Sequence, residues 1–141
     1  MALYQKFDQF VEDLAKKVHN LNSDTLKVML TNTAPSAANT VLANITEITP
    51  GNGYSAGGSA ATFVSGVQSS GTYKLVLNNV TFTASGGSIG PFRYAVLYND
   101  TPTSPADPLI AWWDYGTSLT LTNGNSFTVN LDQSSGVFTA Q

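Results

Sequence analysis

Cysteine is absent from the 141 residues, which excludes disulfides, thiolate metal centres and cysteine nucleophiles together and makes the fold independent of redox compartment. Histidine occurs once, at position 19, so neither a zinc spacing nor a histidine-rich metal cluster can be built. Charge is scarce: Asp, Glu, Lys and Arg supply 11% of the chain, against roughly 25% in an average soluble protein. The six Lys and Arg are outnumbered by nine Asp and Glu, for a net charge of -3. A phosphate backbone is bound through clustered cations, so no nucleic-acid partner is expected. Long hydrophobic runs are also missing. The N-terminal MALYQKFDQFVEDLAKK interleaves charges with apolar residues, unlike the uninterrupted centre of a signal peptide, and nothing later reaches membrane-spanning length. A soluble chain made in the cytoplasm, with no membrane partner, is the expectation.

What is present divides the chain in two. Leu3, Phe7, Phe10, Val11, Leu14 and Val18 fall at helical spacing, with Lys6, Asp8, Glu12, Asp13, Lys16 and Lys17 mostly elsewhere, which predicts an amphipathic helix over Ala2–His19. Asn20, Asn22 and Ser23 end it, giving an N-terminal helical element at 1–22 followed by a β-body at 23–141 within a single domain. Eight of the fifteen charged residues lie before position 32, and the other 110 residues hold only Lys74, Arg93, Glu47, Asp100, Asp107, Asp114 and Asp132.

The β-body reads as short runs of period-two alternation: TLKVMLT from Thr25, TYKLVLN from Thr72, NVTFTA from Asn79, FRYAVLY from Phe92, LIAWWDY from Leu109, SLTLT from Ser118 and SFTVNL from Ser126. Turn-forming clusters such as NTAPSAAN, PGNGYSAGG, ASGGSIGP and NDTPTSPADP separate them. This spacing predicts a mainly β protein, an antiparallel β-sandwich or jelly roll with one N-terminal helix. SLTLT and SFTVNL, joined through Asn123-Gly124, read as a hairpin.

Both tryptophans of the chain are adjacent, in IAWWDYG. Successive strand residues point to opposite faces, so Trp112 and Trp113 require a strand covered on both sides. Trp113, on the face of Leu109, Ala111 and Tyr115, is expected in the sandwich core, and Trp112 with Ile110 against the helix or a neighbouring subunit.

Few residues offer chemistry. A serine–histidine–aspartate arrangement would have to use His19, which reads better as a surface histidine at a helix C-terminus. Asp114 with Glu47 or Asp132 is the only carboxylate pairing to consider for glycoside hydrolysis, and no spacing supports it. A calcium site from Asp100, Asp107 and loop carbonyls competes with the simpler role of those acids in turns. PGNGYSAGG lacks the lysine and hydroxyl of a phosphate loop and reads as an extended arm, with Tyr54 as its one large side chain, able to lie flat on another surface. Trp112, Trp113, Tyr73, Tyr94, Tyr98 and Tyr115 cluster in the predicted strands, where a row of exposed rings would suit a sugar and buried rings would be core or subunit contact. No catalytic, cofactor-binding or metal-binding residue is assigned.

Four stretches, FVEDLAKKVHNLNSDTLKVMLTNTAP, ITEITPGNGYSAGG, LIAWWDYGTSLTLTNGNSFTVNLD and SSGVFTA, resemble a group of small structural proteins of tailed bacteriophages and prophages, over nearly the whole chain. The resemblance implies a non-enzymatic virion protein, nearest in role to capsid decoration or cement proteins, made in the host cytoplasm and placed on the capsid surface. It implies the major capsid protein and further copies of the chain, as a homotrimer or homodimer, as partners. Tyr4, Tyr54 and Trp112 are the expected interface residues. The alternative is a carbohydrate- or receptor-binding module of a fibre or tail.

Overall fold

A computed structural model describes residues 3–131 and 136–141. The protein is mainly β, with antiparallel sheets and one short helix. β1 (Leu3–Lys6), α1 (Gln9–Ala15), β2 (Leu26–Thr31), β3 (Ser59–Ala61), β4 (Phe63–Ser69), β5 (Thr72–Leu77), β6 (Val80–Thr83), β7 (Ile89–Asn99), β8 (Leu109–Leu121), β9 (Ser126–Val129) and β10 (Phe138–Ala140) follow in chain order. They form a five-stranded sheet in the order β1-β8-β7-β2-β3, a three-stranded sheet β10-β5-β4 and a two-stranded ribbon β6-β9. All three contribute to one core in a sandwich-like arrangement, with Leu75 and Leu77 of β5, Phe82 of β6 and Val96 and Leu97 of β7 closed from solvent.

The helix is shorter than its periodicity predicts. Leu3–Lys6 pairs antiparallel with β8, Tyr4 opposite Trp113 and Gln5 opposite Trp112, so the first residues of the expected helix are a strand. The same apolar spacing serves both elements. β8 would otherwise show an unpaired edge beside two tryptophans, and backbone bonds to that edge outweigh the helical propensity of four residues. The predicted hairpin through Asn123-Gly124 is also not formed. β9 pairs with β6, not β8. Asn125 N–H does donate to Thr122 O, at 3.0 Å, but φ is positive only at Gly124, at 88°. That is the pattern of a type II turn, whose twist splays a two-residue hairpin. SLTLT is instead the end of β8.

Register places the tryptophans. Residues directly opposite across antiparallel strands share a face. Leu30, Ala95, Trp113 and Tyr4 form one such row, and Met29, Val96, Trp112 and Gln5 form the next, on the other face. Trp112 is the more buried of the pair, 8% exposed, and its ring lies 4.5 Å from that of Phe7. Trp113 is half-buried. The expectation that Trp113 is the core tryptophan is therefore corrected, while Trp112, expected against the helix or a neighbouring subunit, packs on Phe7 just ahead of α1.

Trp112's face is covered from within the chain. The long connection between β2 and β3 starts beside Thr31, whose hydroxyl donates to Thr46 O, and reaches the far side of β8, where Leu109 N–H donates to Thr40 O and Leu42 N–H to Asp107 O. Ala37, Leu42 and Ile45 of this segment pack on the core. Its return is pinned at Gly58, whose φ is +80° and where a Cβ would stand 1.8 Å from Val28 O. Only glycine permits so close an approach to β2.

Candidate functional site

Tyr54 is not a surface residue. It is 2% exposed, and its hydroxyl accepts the Leu30 N–H at 3.1 Å and donates to Glu47 Oε2 at 2.8 Å. Glu47 also accepts Gly57 N–H, at 2.6 Å, and Tyr98 donates its hydroxyl proton to Gly57 O at 2.6 Å. Burial pushes both phenols far above the ordinary tyrosine value. PGNGYSAGG is thus a plugged loop and not an arm: the one large side chain among small residues is its anchor. Tyr54 and Trp112, two of the expected interface residues, are both buried within the chain, while Tyr4 is 41% exposed.

Asp114 and Glu47 are engaged by different partners. Asp114 takes Arg93 in a bidentate pair, Nε to Oδ1 at 2.8 Å and Nη2 to Oδ2 at 3.1 Å. That pair and Gly116 N–H hold its carboxyl below the usual range. Glu47 serves Tyr54 and Gly57, and Asp132 lies outside the described residues. Burial, and Asp100 close by, raise Asp107, while Lys27 pairs with Asp100 at 3.0 Å. Among the described residues no three His, Cys, Asp or Glu side chains gather into a metal site. His19 is buried, 6% exposed, with Phe10 against its ring at 5.1 Å and the Asn99 amide 3.1 Å from Nδ1. It is a core histidine and not a surface one.

Two surfaces stand out among the described residues. One is a cleft of about 790 Å³ between the β1-β8-β7 side of the large sheet and the layer carrying β9 and β10, lined by Tyr4, Arg93, Tyr94, Trp113, Tyr115 and Phe127 among others. Tyr4 meets Trp113 edge-to-face at 5.6 Å, and Tyr115 meets Phe127 at 5.5 Å. The Arg93 guanidinium lies 5.4 Å from the centroid of Tyr94. β8 swings out here: Tyr94 pairs with Asp114 and Phe92 with Leu119, so the exposed segment Tyr115–Ser118 carries Tyr115 to the mouth.

The other surface is the free edge of β4. Among the described residues β4 pairs with β5 alone, and Phe63, Val64 and Val67 are 37, 49 and 62% exposed. No charged residue lies between Glu47 and Lys74. Edge strands usually carry charge or proline against unwanted pairing; β4 has neither, and its one irregularity falls between Phe63 and Ser65.

Of the aromatics grouped from sequence, Trp113, Tyr94 and Tyr115 meet in the cleft, Trp112 and Tyr98 are buried, and Tyr73 sits on β5 with its hydroxyl donating to Asn22. Phe127 and Arg93 were not anticipated there. Arg93 is the only arginine of the chain, which is the signal that could have drawn attention to it. No helix is long and apolar enough to cross a membrane among the described residues. No protein-family model, curated protein or solved structure matches the chain.

Proposed function

We propose that the protein is a non-enzymatic structural component of a tailed-phage virion, a decoration or cement protein that is made in the host cytoplasm, binds the major capsid protein on the capsid surface and associates with further copies of itself. The observation that carries this reading is the free β4 edge, unprotected by charge and flanked by exposed Phe63, Val64 and Val67. An uncharged strand edge offers backbone hydrogen bonds and alternate apolar side chains to a neighbouring chain. On a repeating shell, modest affinity per copy is multiplied by simultaneous contacts. Tyr4 remains the second candidate contact, and the engaged acids described above fit a protein that acts by binding.

The test is occupancy. Recombinant chain is incubated with shells lacking it, and bound copies are counted by quantitative mass spectrometry. Val67→Lys, at an exposed position, is expected to keep the wild-type melting temperature and lose most of its occupancy. Wild-type occupancy in Val67→Lys would remove the β4 edge from the interface, and failure of the wild-type chain to bind shells would overturn the assignment.

A further inference from the structure

Apart from Tyr4, the cleft between the sheets is not used by the proposed attachment, and its lining has a chemistry of its own. Its volume of about 790 Å³ lies within the roughly 300–1,000 Å³ of small-molecule sites. Edge-to-face packing of Tyr4 on Trp113 and of Tyr115 on Phe127 fixes the ring planes while each contact covers at most one face of a ring. Tyr4 and Tyr115 keep 41 and 40% of their surface exposed, an arrangement that leaves apolar faces open beside phenolic hydroxyls. Arg93 is held by the Asp114 carboxylate through Nε and Nη2. That pair neutralises the guanidinium and engages two of its five N–H donors. Lys6 lines the same cleft and adds an ammonium donor.

We propose that this cleft binds a neutral saccharide, the apolar C–H faces of its pyranose rings stacked on Trp113, Tyr4 and Tyr115 and its hydroxyls met by Arg93. Rigid aromatic faces with a few fixed polar groups favour a ligand that is apolar on its ring faces and polar around its rim. A strongly anionic ligand would find its best cation already paired, and an aliphatic one would strand the donors at the rim. A saccharide so held would give any particle carrying the protein a contact with cell-envelope glycans, whatever position the chain occupies on that particle.

The test is calorimetric titration of the recombinant chain with cellotriose, chitotriose and maltotriose, and with glucuronic acid as the charged comparison, to about 10 mM. Tryptophan fluorescence is followed in parallel. At least one neutral trisaccharide is expected to bind saturably and shift the emission, because Trp113 lines the cleft while Trp112 is buried beneath Phe7. Tyr115→Ala, at an exposed position, is expected to weaken binding about tenfold with the fold intact, the loss of one stacking surface. Trp113→Phe keeps a ring for stacking and should retain binding while losing the emission shift, which guards against a misfolded Trp113→Ala. Absence of heat and emission change across the neutral panel, binding of glucuronic acid alone, or undiminished affinity in Tyr115→Ala would each overturn the proposal.

Discussion

Replacing Tyr54 by Phe removes one oxygen atom from a ring that is otherwise left in place. The Leu30 N–H that donates to it belongs to a residue with no exposed surface, so the variant leaves a buried backbone donor without its acceptor, at a cost of roughly 1–3 kcal/mol. The Glu47 carboxylate loses the phenolic donor at 2.8 Å and keeps Gly57 N–H, which adds about 1 kcal/mol. The sum is about 3 kcal/mol. With an unfolding entropy near 2.1 cal/mol/K per residue, a chain of 141 residues loses roughly 10 °C of melting temperature for that sum. Differential scanning calorimetry at neutral pH checks the shift, and urea unfolding with an unchanged slope shows that stability and not cooperativity has altered. Tyr54→Ala should cost about 3–5 kcal/mol through the lost ring as well. A Tyr54→Phe protein melting within about 2 °C of wild type would refute the argument that this hydroxyl anchors the glycine-rich loop, and would return PGNGYSAGG to the surface.

Trp112→Ala is expected to cost about 3–5 kcal/mol, because it empties the space beneath Phe7, and Trp113→Ala only about 1–2 kcal/mol at its half-buried position; urea midpoints of the two variants in the opposite order would contradict the register. His19 has its pKa pushed below the ordinary 6.5, mainly by burial, against the opposing pull of Asp13 and Asp24. The unfolded chain therefore takes up the proton first as pH falls, and stability should decline as pH drops below about 6.5 toward the lower folded value. Urea unfolding at pH 7.5 and pH 5.5 should show this decline diminished in His19→Gln, and an equal decline in both proteins would assign it to the carboxylates.

The strands with strong alternation, β2, β5, β6 and β7, were legible from the sequence because β-branched and aromatic residues at period two have few other uses. β4 was not. FVSGVQS is broken by Gly66 and by serines, and pairing with β5 across a tight turn, with positive φ at Ser70 and Gly71, decides what local propensity leaves open. The N-terminus failed for the opposite reason: Leu3 and Phe7 satisfy a helical and a strand pattern equally, and only the open edge of β8 chooses between them. Asn123-Gly124 gave a true turn with the wrong strands attached, since β6 competes for β9 across 43 residues between Thr83 and Ser126. At the cleft, the aromatic cluster was visible but its sorting was not. A one-residue shift of register exchanges Trp112 with Trp113, and register was fixed by partners distant in the chain.

The connection between β2 and β3 also has a consequence for the order in which the molecule assembles. Its anchors, the Leu30 amide, the neighbouring Asp107 carbonyl and Leu109 amide, and the Asp8 amide that donates to Ala37 O, come from three separated parts of the chain. The full set of these contacts closes only when β2 and β8 are held in one sheet through β7, and such non-local closures come slowly. The irregular segment is therefore expected to complete its docking late. Until it does, the row of Met29, Val96 and Trp112 stands open to water and to neighbouring chains. That interval, and not the finished surface, is when crowded copies of this protein are most exposed to sticking to one another.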